Sequence, residues 1–359
     1  MAKGAPATDA RPWSRTNLLI KRAIESLGGS VKPVSCRHSD FFLQLQHGER
    51  RVVVSKTRSP FLTQVTQTLT NNKFVSREWM RAAGLPAIAG VLVDEGDDPL
   101  GESVAEFRSR YEAVVVKPNW GNRGVGVVGP LQTDKEFVHA CLWARGLDRD
   151  EEVVVEPHIA GTDLRISVIG GKPVAAVEIV RPVLEASQQT VRASIEQLNA
   201  DARRSTWDRP RLTSLDRIEP EEHLADLLKI FELELDRPLP QGRSLCLPGE
   251  EVEVLDRTDD IHPSWMAVAQ DACACLGVDV GGVDFRGPRG GFLRAAAMDG
   301  PGWLLEVNVL PGLHLHALPT EGVSRPVFEA FVAYCLSLPG APPPCATTPE
   351  GPPAGIAMF

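Results

Sequence analysis

Residues 114–127 have the sequence VVVKPNWGNRGVGV, which predicts the architecture of the chain. An apolar strand ends at Lys117, and a loop with glycines at positions 121, 124 and 126 leads into a second apolar segment. Glycine lets backbone N–H groups approach an anion closely, and a lysine at a strand end adds a positive charge, so the pattern suits a triphosphate. It is neither a P-loop nor a dinucleotide fingerprint, because it lacks GxxxxGK[ST] and a strand follows the glycines. A glycine hairpin with a lysine that reaches solvent is the alternative.

A second stretch, VVVEPHIAGTDLR at residues 153–165, has the pattern of a buried strand, a short link and another strand. An extended link offers backbone N–H and C=O groups to the edge of a purine, and an acid a few residues later can bind ribose hydroxyls. Glu156 and Asp163 are the acids at the two ends of this link. The alternative is a surface turn with two solvated acids.

Two apolar strands later in the sequence carry side chains that suit a metal ion. Asp284 lies in the first, and Glu306 and Asn308, two residues apart, share a face of the second. Two carboxylates and an amide oxygen suit Mg²⁺, and acids inside apolar strands are costly unless they are paired or bind metal. The turn Pro311-Gly312 follows at once and aims backbone N–H groups toward these side chains. Strand-end acids that face solvent are the alternative.

Strand and helix patterns alternate along the rest of the chain. Glycines after apolar helical stripes, such as Gly28 and Gly84, mark helix ends, and Thr133 is a candidate helix cap. Helices are predicted at residues 17–27, 72–83, 134–145, 263–276 and 326–336. Strands are predicted at residues 41–45, 51–55, 88–93, 113–117, 125–128, 152–156, 164–169, 173–179, 278–286 and 302–307. The first two are predicted to form a hairpin around the turn His47-Gly48-Glu49. This interleaving indicates the α/β or α+β class with mixed sheets.

Composition excludes several classes of protein. The chain has 359 residues, a net charge of −9 and 43% hydrophobic residues. Such a chain buries a sizeable core, which excludes disorder for the bulk of it, and an acidic protein lacks the basic face that nucleic acid requires. No apolar run reaches the roughly 18 residues of a membrane helix, and the first residues lack the apolar core of a signal peptide. We therefore expect a cytoplasmic protein without nucleic-acid or membrane partners.

Cysteine usage agrees with a reducing compartment. The seven cysteines are scattered, and only Cys273 and Cys275 lie close together, without a second pair at zinc spacing. We expect inert thiols, with a metal or redox role as the alternative.

The order of these motifs resembles that of the ATP-grasp family of carboxylate–amine ligases. The resemblance runs from about residue 72 to residue 325 and is greatest to the ATP-grasp domains of cyanophycin synthetases and bifunctional glutathione synthetases. The stretches that carry it, besides the first two quoted, are LDRTDDIHP (255–263), LGVDVGGVDF (276–285) and LLEVNVLPGLHLHALPTEGVSR (304–325).

The resemblance implies an ATP-grasp fold with an N-terminal α/β subdomain, a central lid, and a C-terminal subdomain that binds ATP and magnesium. We expect a disordered leader at residues 1–12, the N-terminal subdomain at 13–84, the lid at 85–160, the C-terminal subdomain at 161–338, and a flexible Pro-rich tail at 339–359. ATP would lie between the lid and the C-terminal subdomain.

The resemblance also implies roles for individual residues in ATP binding. The residues expected to bind ATP are Lys73, Lys117, Gly121, Gly124, Gly126, Glu156, His158, Ile159, Asp163 and Arg181. The lysines and Arg181 would contact phosphates, and the glycine loop would close over them. Glu156 and the backbone near His158 and Ile159 would hold the adenine, and Asp163 would bind the ribose.

Two Mg²⁺ ions, with Mn²⁺ as an alternative, would be ligated by Asp284, Glu306 and Asn308. The candidate catalytic residues are Arg181 and Gly312. The implied reaction joins a small-molecule carboxylate, such as an amino acid or a specialised metabolite, to an amine through an acyl phosphate. The alternatives are an ATP-grasp phosphotransferase and a non-catalytic ATP-binding scaffold, and a homo-oligomer is compatible with each.

One segment departs from the family pattern. Cys246 stands where the family has an arginine, and the loop after it is acidic, with Glu251 among its acids at positions 250, 251 and 253. Arg243 could replace the lost charge. The acids could favour a cationic substrate, or they could form a solvated loop. The histidines at 262, 314 and 316 are expected to be structural and hydrogen-bonded.

Overall fold

The computed structural model describes residues 13–34, 41–121, 124–205, 212–219, 222–247, 251–296 and 300–343. The predicted leader and the predicted tail beyond residue 343 lie outside these ranges.

The described elements follow one another with short connections. The helices are α1 (Arg15–Ser26), α2 (Gln64–Asn71), α3 (Lys73–Ala82), α4 (Glu102–Arg108), α5 (Asp134–Arg145), α6 (Val191–Asn199), α7 (Glu222–Ile230), α8 (Pro263–Leu276), α9 (His314–Ala317) and α10 (Val327–Cys335). The strands are β1 (Ser30–Pro33), β2 (Leu43–His47), β3 (Arg50–Val54), β4 (Val91–Val93), β5 (Val114–Pro118), β6 (Val128–Leu131), β7 (Val153–Pro157), β8 (Thr162–Ile169), β9 (Lys172–Val180), β10 (Val183–Glu185), β11 (Ser244–Cys246), β12 (Glu253–Asp256), β13 (Val280–Gly287) and β14 (Trp303–Asn308).

All pairings between these strands are antiparallel within the described residues. The α+β alternative is therefore confirmed, and the expectation of mixed sheets is wrong. The physical reason is visible between β8 and β9, where Gly170 and Gly171 adopt φ of +60° and +70° and close a two-residue hairpin. A tight turn reverses the chain, whereas parallel pairing requires a long crossover.

A four-stranded sheet in the order β4-β7-β5-β6 contains the strand of the first motif and the first strand of the second, whose later strand is β8 of another sheet. Its central strands β5 and β7 are buried, as their valine runs predict. Helix α5 covers the sheet, and its first turn is capped as predicted, since the Thr133 hydroxyl accepts the Glu136 N–H at 3.2 Å. Side chains of α6, α7 and β11 extend the same core. This core fixes the strand ends that carry Lys117 and Glu156.

A five-stranded sheet in the order β12-β9-β8-β13-β14 holds the metal-site candidates. One face packs on α8, where the buried Trp265 ring meets Phe285 and Phe292 edge-on, with centroids 5.4 and 5.0 Å away. The other face carries the charged residues. Asp284 pairs directly with both Arg165 and Glu306, so these side chains lie beside one another.

The sheet β1-β2-β3 packs with α1 and α10 in a separate core. The hairpin β2-β3 is confirmed at the predicted turn, where Gly48 has φ +57°. The domain boundaries stay a prediction. No helix in the described part of the chain is long and apolar enough to cross a membrane.

Candidate active site

The lysine at the end of β5 and the acid at the end of β7 form an interior ion pair. Lys117 Nζ lies 2.5 Å from Glu156 Oε1, and Arg77 Nη1 of α3 lies 2.5 Å from Glu156 Oε2. The exposed fractions are 6% for Lys117, 4% for Glu156 and 1% for Arg77. The structure thus brings the two predicted residues together and adds Arg77.

One carboxylate in this cluster serves two buried cations. Burial opposes the ionisation of Glu156, but Arg77 and Lys117 outweigh it and hold the pKa of Glu156 below its usual value. Burial lowers the pKa of Lys117 despite the nearby Glu156. Two cations share one carboxylate, so the cluster has a surplus of positive charge that suits an anionic ligand.

Lys73, the first residue of α3, lies against the glycine loop. Its Nζ donates to the carbonyl of Gly121 and lies 3.5 Å from the carbonyl of Asn119. Asn119 also fixes the start of α3, because its Oδ1 accepts the Phe74 N–H at 2.9 Å. Burial lowers the pKa of Lys73 to about 8, with Glu306 opposing the shift.

We expect the affinity for ATP to fall as the pH rises through the pKa of Lys73, which is about 8. The phosphate requires the ammonium form of Lys73, and each pH unit above the pKa removes up to about tenfold of that form. Lys73→Arg carries a permanent charge, so its profile should be flatter. Calorimetric titration of both proteins with ATP from about pH 7.5 to about 9.5 measures how the affinity depends on pH. The difference between the two pH profiles is due to Lys73, because Lys117 is the same in both proteins. Identical profiles would contradict the role of Lys73.

The glycine loop has a backbone that only glycine adopts readily. Gly124 and Gly126 have φ of +73° and +75°. A Cβ on Gly126 would lie 2.5 Å from Pro118 Cγ. The strand predicted at 125–128 begins only at Val128, because this turn keeps the preceding residues out of the ladder with β5.

The base of the loop is anchored to the segment before β7. The Trp120 N–H donates to Asp148 Oδ2 at 2.7 Å, and its indole N–H donates to Glu152 Oε2 at 3.1 Å. The Arg149 guanidinium stacks 3.8 Å from the centroid of the Trp120 ring. Asn119 Nδ2 donates to the same Glu152 carboxylate. These contacts hold the loop's first residues in place.

The three predicted metal ligands lie together. Asn308 Nδ2 donates to Asp284 Oδ2 at 2.7 Å and to Glu306 Oε1 at 3.1 Å. Arg165 of β8 holds Asp284 in a bidentate ion pair, with Nε–Oδ1 2.5 Å and Nη2–Oδ2 2.7 Å. Arg165 was not predicted from the sequence.

The electrostatics of these residues favour a hard cation. Burial raises the pKa of Asp284, and Glu306 and Asp163 add to this while Arg165 opposes it. Burial also disfavours the charge on Glu306, but Lys73, Lys117 and Arg77 hold its pKa below the usual value. Two carboxylates and an amide that can turn its oxygen inward fit Mg²⁺.

No group of three or more His, Cys, Asp or Glu side chains suited to a metal occurs among the described residues.

Asp163 is held by two arginines. Arg181 Nε lies 2.8 Å from its Oδ2, and Arg286 Nη1 lies 2.6 Å from its Oδ1. Arg286 Nε also donates to the carbonyl of Ile159 at 2.6 Å, so one guanidinium joins the link to the predicted ribose-binding acid. A carboxylate oxygen has a second lone pair, so Asp163 can still accept a further hydrogen bond.

The other predicted residues take positions around this face. The His158 N–H donates to the carbonyl of Ala113 at 2.9 Å, which fixes the backbone at the end of β7. A Cβ on Gly312 would lie 3.4 Å from Arg165 Nη1, so the Pro311-Gly312 turn touches the arginine that holds Asp284. Arg181 contacts Asp163 and Glu251.

The raised pKa values of three cysteines agree with the expectation of inert thiols. Burial raises the pKa of Cys141 to about 12 and that of Cys275 to about 11, and it raises the pKa of Cys273 further. Cys36 and Cys345 lie outside the described residues.

The histidine expectation holds for His262, whose Nδ1 accepts the Ser264 N–H at 3.2 Å and caps α8. It is wrong for His316, which is fully buried and makes no ring hydrogen bond within the described residues. Burial lowers the pKa of His316 to about 3, so the ring is neutral. Sequence spacing cannot show that the His316 ring lacks hydrogen bonds, because the groups around a buried ring come from distant segments of the chain.

Sequence reasoning missed three arginines that spacing could have revealed. Arg165 lies two residues after Asp163, and Arg286 lies two residues after Asp284, so each shares a strand face with a predicted acid. Arg77 lies four residues after Lys73, one helical turn further along α3.

The sequence is similar to two groups of curated proteins. It is 28% identical over 331 residues to cyanophycin synthetase from Nostoc sp. strain PCC 7120, which covers 90% of this chain and 35% of that one. It is 26% identical over 301 residues to the glutathione biosynthesis bifunctional protein of Enterococcus faecalis, which covers 79% of this chain and 38% of that one. The resemblance to the ATP-grasp ligases is confirmed. The chain spans about a third of the length of these relatives. No family model matches it.

A solved structure has the same fold. The bifunctional glutathione synthetase from Pasteurella multocida superposes with a TM-score of 0.55 at 22% identity, covering 89% of this chain and 43% of that one. The ATP-grasp fold expected from the motifs is thereby supported over nearly all of the chain.

Proposed function

We propose that this chain is an ATP-dependent carboxylate–amine ligase. The observation that carries the proposal is a convergence at Glu306. Lys73 and Lys117, the lysines expected at the phosphates, act electrostatically on this carboxylate, which also lies beside Asp284 and Asn308. Cations for phosphate and oxygen ligands for a metal thus meet in one place. The name of the cyanophycin synthetase relatives supports the same reaction class.

In the proposed reaction, the γ-phosphoryl group of ATP passes to a carboxylate oxygen of the substrate and ADP leaves. The amine then attacks the acyl carbon and forms the C–N bond. The C–O bond to phosphate breaks, and the amine loses a proton. The side chains make no covalent bond in this sequence, so their contribution is positioning and charge compensation.

The proposed binding roles are those that the resemblance to ATP-grasp ligases implies. Lys117 and Lys73 would hold phosphates, Glu156 and the link at His158 and Ile159 would hold the adenine, and Asp163 would bind the ribose. Asp284, Glu306 and Asn308 would hold Mg²⁺, which would neutralise charge on the phosphates when bound. We place Arg165 and the Gly312 turn near the reacting carboxylate, because they touch each other beside Asp284.

The proposal is tested by incubating the protein with ATP, Mg²⁺ and a pool of amino acids. ADP, free phosphate and a new amide in the mass spectrum are the expected products. A phosphorylated small molecule without amide would indicate a phosphotransferase instead. ATP binding without turnover would indicate a non-catalytic scaffold.

We expect nucleotide to slow hydrogen exchange of the peptide that spans residues 119–128. Gly124 and Gly126 lie in a turn with positive φ, and a phosphate would accept hydrogen bonds from backbone N–H groups there. The peptide over α8, which lies beneath the five-stranded sheet, is the internal control. Unchanged exchange at the loop in saturating Mg–ATP would contradict its role.

A further inference from the structure

A chain of hydrogen bonds joins Lys73 to Glu152, which has no role in the proposed nucleotide contacts. Asn119 is the central member of this chain and is 1% exposed. Its carbonyl accepts the backbone N–H of Lys73 at 3.2 Å and lies 3.5 Å from the Nζ of the same lysine. Its side-chain Oδ1 accepts the Phe74 N–H at 2.9 Å. One buried asparagine thus contacts both the first turn of α3 and the ammonium group that we propose for a phosphate.

Asn119 accepts more of the N–H groups at the start of α3 than the cap residue Asn72 does. The Asn72 side chain accepts one of them, the Val75 N–H, at 2.9 Å. The N–H groups of Lys73 and Phe74 go to Asn119, because a helix has no internal acceptor for its first N–H groups. The position of Lys73 is therefore set by a residue 46 places further along the chain.

Glu152 fixes the orientation of the Asn119 amide. The Asn119 Nδ2 donates to Glu152 Oε2, which also accepts the Trp120 indole N–H at 3.1 Å. The Asn119 backbone N–H donates to the Glu152 carbonyl at 3.1 Å. An amide has one accepting end and one donating end, so the carboxylate that accepts from Nδ2 leaves Oδ1 directed at the Phe74 N–H. Without this carboxylate, the amide would be free to turn its donor toward α3.

The position of Lys73 matters because its ammonium group is enclosed. Lys73 is 6% exposed, and the carbonyls of Asn119 and Gly121 lie beside its Nζ. A phosphate contact requires a donor–acceptor distance of about 3 Å, so a small shift of the first turn of α3 would weaken it. The contribution of the lysine to nucleotide binding thus depends on the residues that hold this turn.

We propose that Asn119 and Glu152 are positioning residues, which hold Lys73 in place for a phosphate of the nucleotide. Asn119 acts through the first turn of α3, and Glu152 acts through Asn119. This inference rests on the proposed function, which supplies the nucleotide. It requires that a substitution at Asn119 or Glu152 affect nucleotide binding only while Lys73 is present.

A double-mutant cycle between Asn119 and Lys73 tests the inference without requiring turnover. Calorimetric titration with Mg–ATP gives the Kd of the wild-type protein, Asn119→Ala, Lys73→Met and the double variant. Lys73→Met should raise the Kd at least about tenfold, because it removes a charged hydrogen bond, and Asn119→Ala should raise it about fivefold. In the Lys73→Met background, Asn119→Ala should change the Kd less than about twofold, because the two substitutions remove the same contact.

Glu152 provides a second comparison at a position that is only partly buried. Glu152→Leu removes the acceptor of the Asn119 amide and should raise the Kd about threefold to fivefold. Glu152→Gln keeps an oxygen with two lone pairs for Asn119 Nδ2 and the Trp120 indole, so its Kd should stay within about twofold of the wild-type value. Thr133→Ala is the matched control, because it removes the capping hydrogen bond of a different helix, α5, and should likewise change the Kd less than about twofold.

The outcomes separate this inference from the proposed function. If Asn119→Ala raises the Kd by the same factor with and without Lys73, or if Glu152→Gln weakens binding as much as Glu152→Leu, the inference is wrong while the site still binds nucleotide. If Lys73→Met leaves the Kd unchanged, the phosphate role of Lys73 is wrong and the inference fails with it. Circular dichroism checks that each variant is folded, and if Asn119→Ala is not, the same cycle with Glu152→Leu decides.

Discussion

Glu306→Gln is expected to lower the rate of ADP release at least about a thousandfold while the Kd for ATP rises less than about tenfold. Glu306 is the carboxylate at which Lys73, Lys117 and Arg77 converge and which adjoins Asp284 and Asn308. Loss of its charge removes a metal ligand, whereas the lysines still attract the phosphates. Steady-state kinetics and calorimetric titration with ATP measure the two quantities separately.

Asp284→Asn should behave in the same way, because it supplies the other carboxylate of the site. Asp271→Asn is the control, since Asp271 is an exposed acid on α8, away from this face. Near-normal turnover in both site variants would refute the metal assignment.

Glu156→Gln is expected to lower the free energy of unfolding by about 3–5 kcal/mol. The substitution leaves two buried cations, Arg77 and Lys117, without their shared carboxylate. Urea denaturation monitored by circular dichroism measures the change.

Glu178→Gln is the matched control for this effect. Glu178 pairs with Arg257 at 3.0 Å, but the arginine side chain is 29% exposed, so the loss should stay below about 1 kcal/mol. If the free energy of unfolding fell equally in the two variants, burial of the Glu156 ion pairs would not make them more stabilising than an exposed pair.

The elements with strong local signals were predictable. The helices at Asp134–Arg145 and Pro263–Leu276 were predicted to the residue. Their first residues are marked by the capping side chain of Thr133 and by the proline at position 263. The hairpin at Gly48 was equally clear.

The segment between β10 and α8 was not predicted, although α6 carries local signals. Val191 and Ile195 are buried four residues apart, and the Thr190 hydroxyl caps the helix by accepting the Ala193 N–H.

Those site residues were predictable that stand out as polar side chains within a single apolar strand. Lys117, Glu156, Asp284, Glu306 and Asn308 were selected because polar side chains in apolar strands require a reason. Their partners were harder, because an ion pair such as Arg165–Asp284 joins residues 119 positions apart and depends on strand order. Sequence spacing cannot show which strands adjoin.

The contact between Lys73 and the Gly121 carbonyl links the glycine loop to the lysine that we propose for a phosphate of ATP. An ammonium group carries three N–H donors, so the carbonyl and a phosphate oxygen can be bound together. Under that proposal Lys73 would tether the loop to the nucleotide. A substitution that breaks the tether would weaken nucleotide binding by the same factor by which nucleotide strengthens the tether, since such coupling is reciprocal.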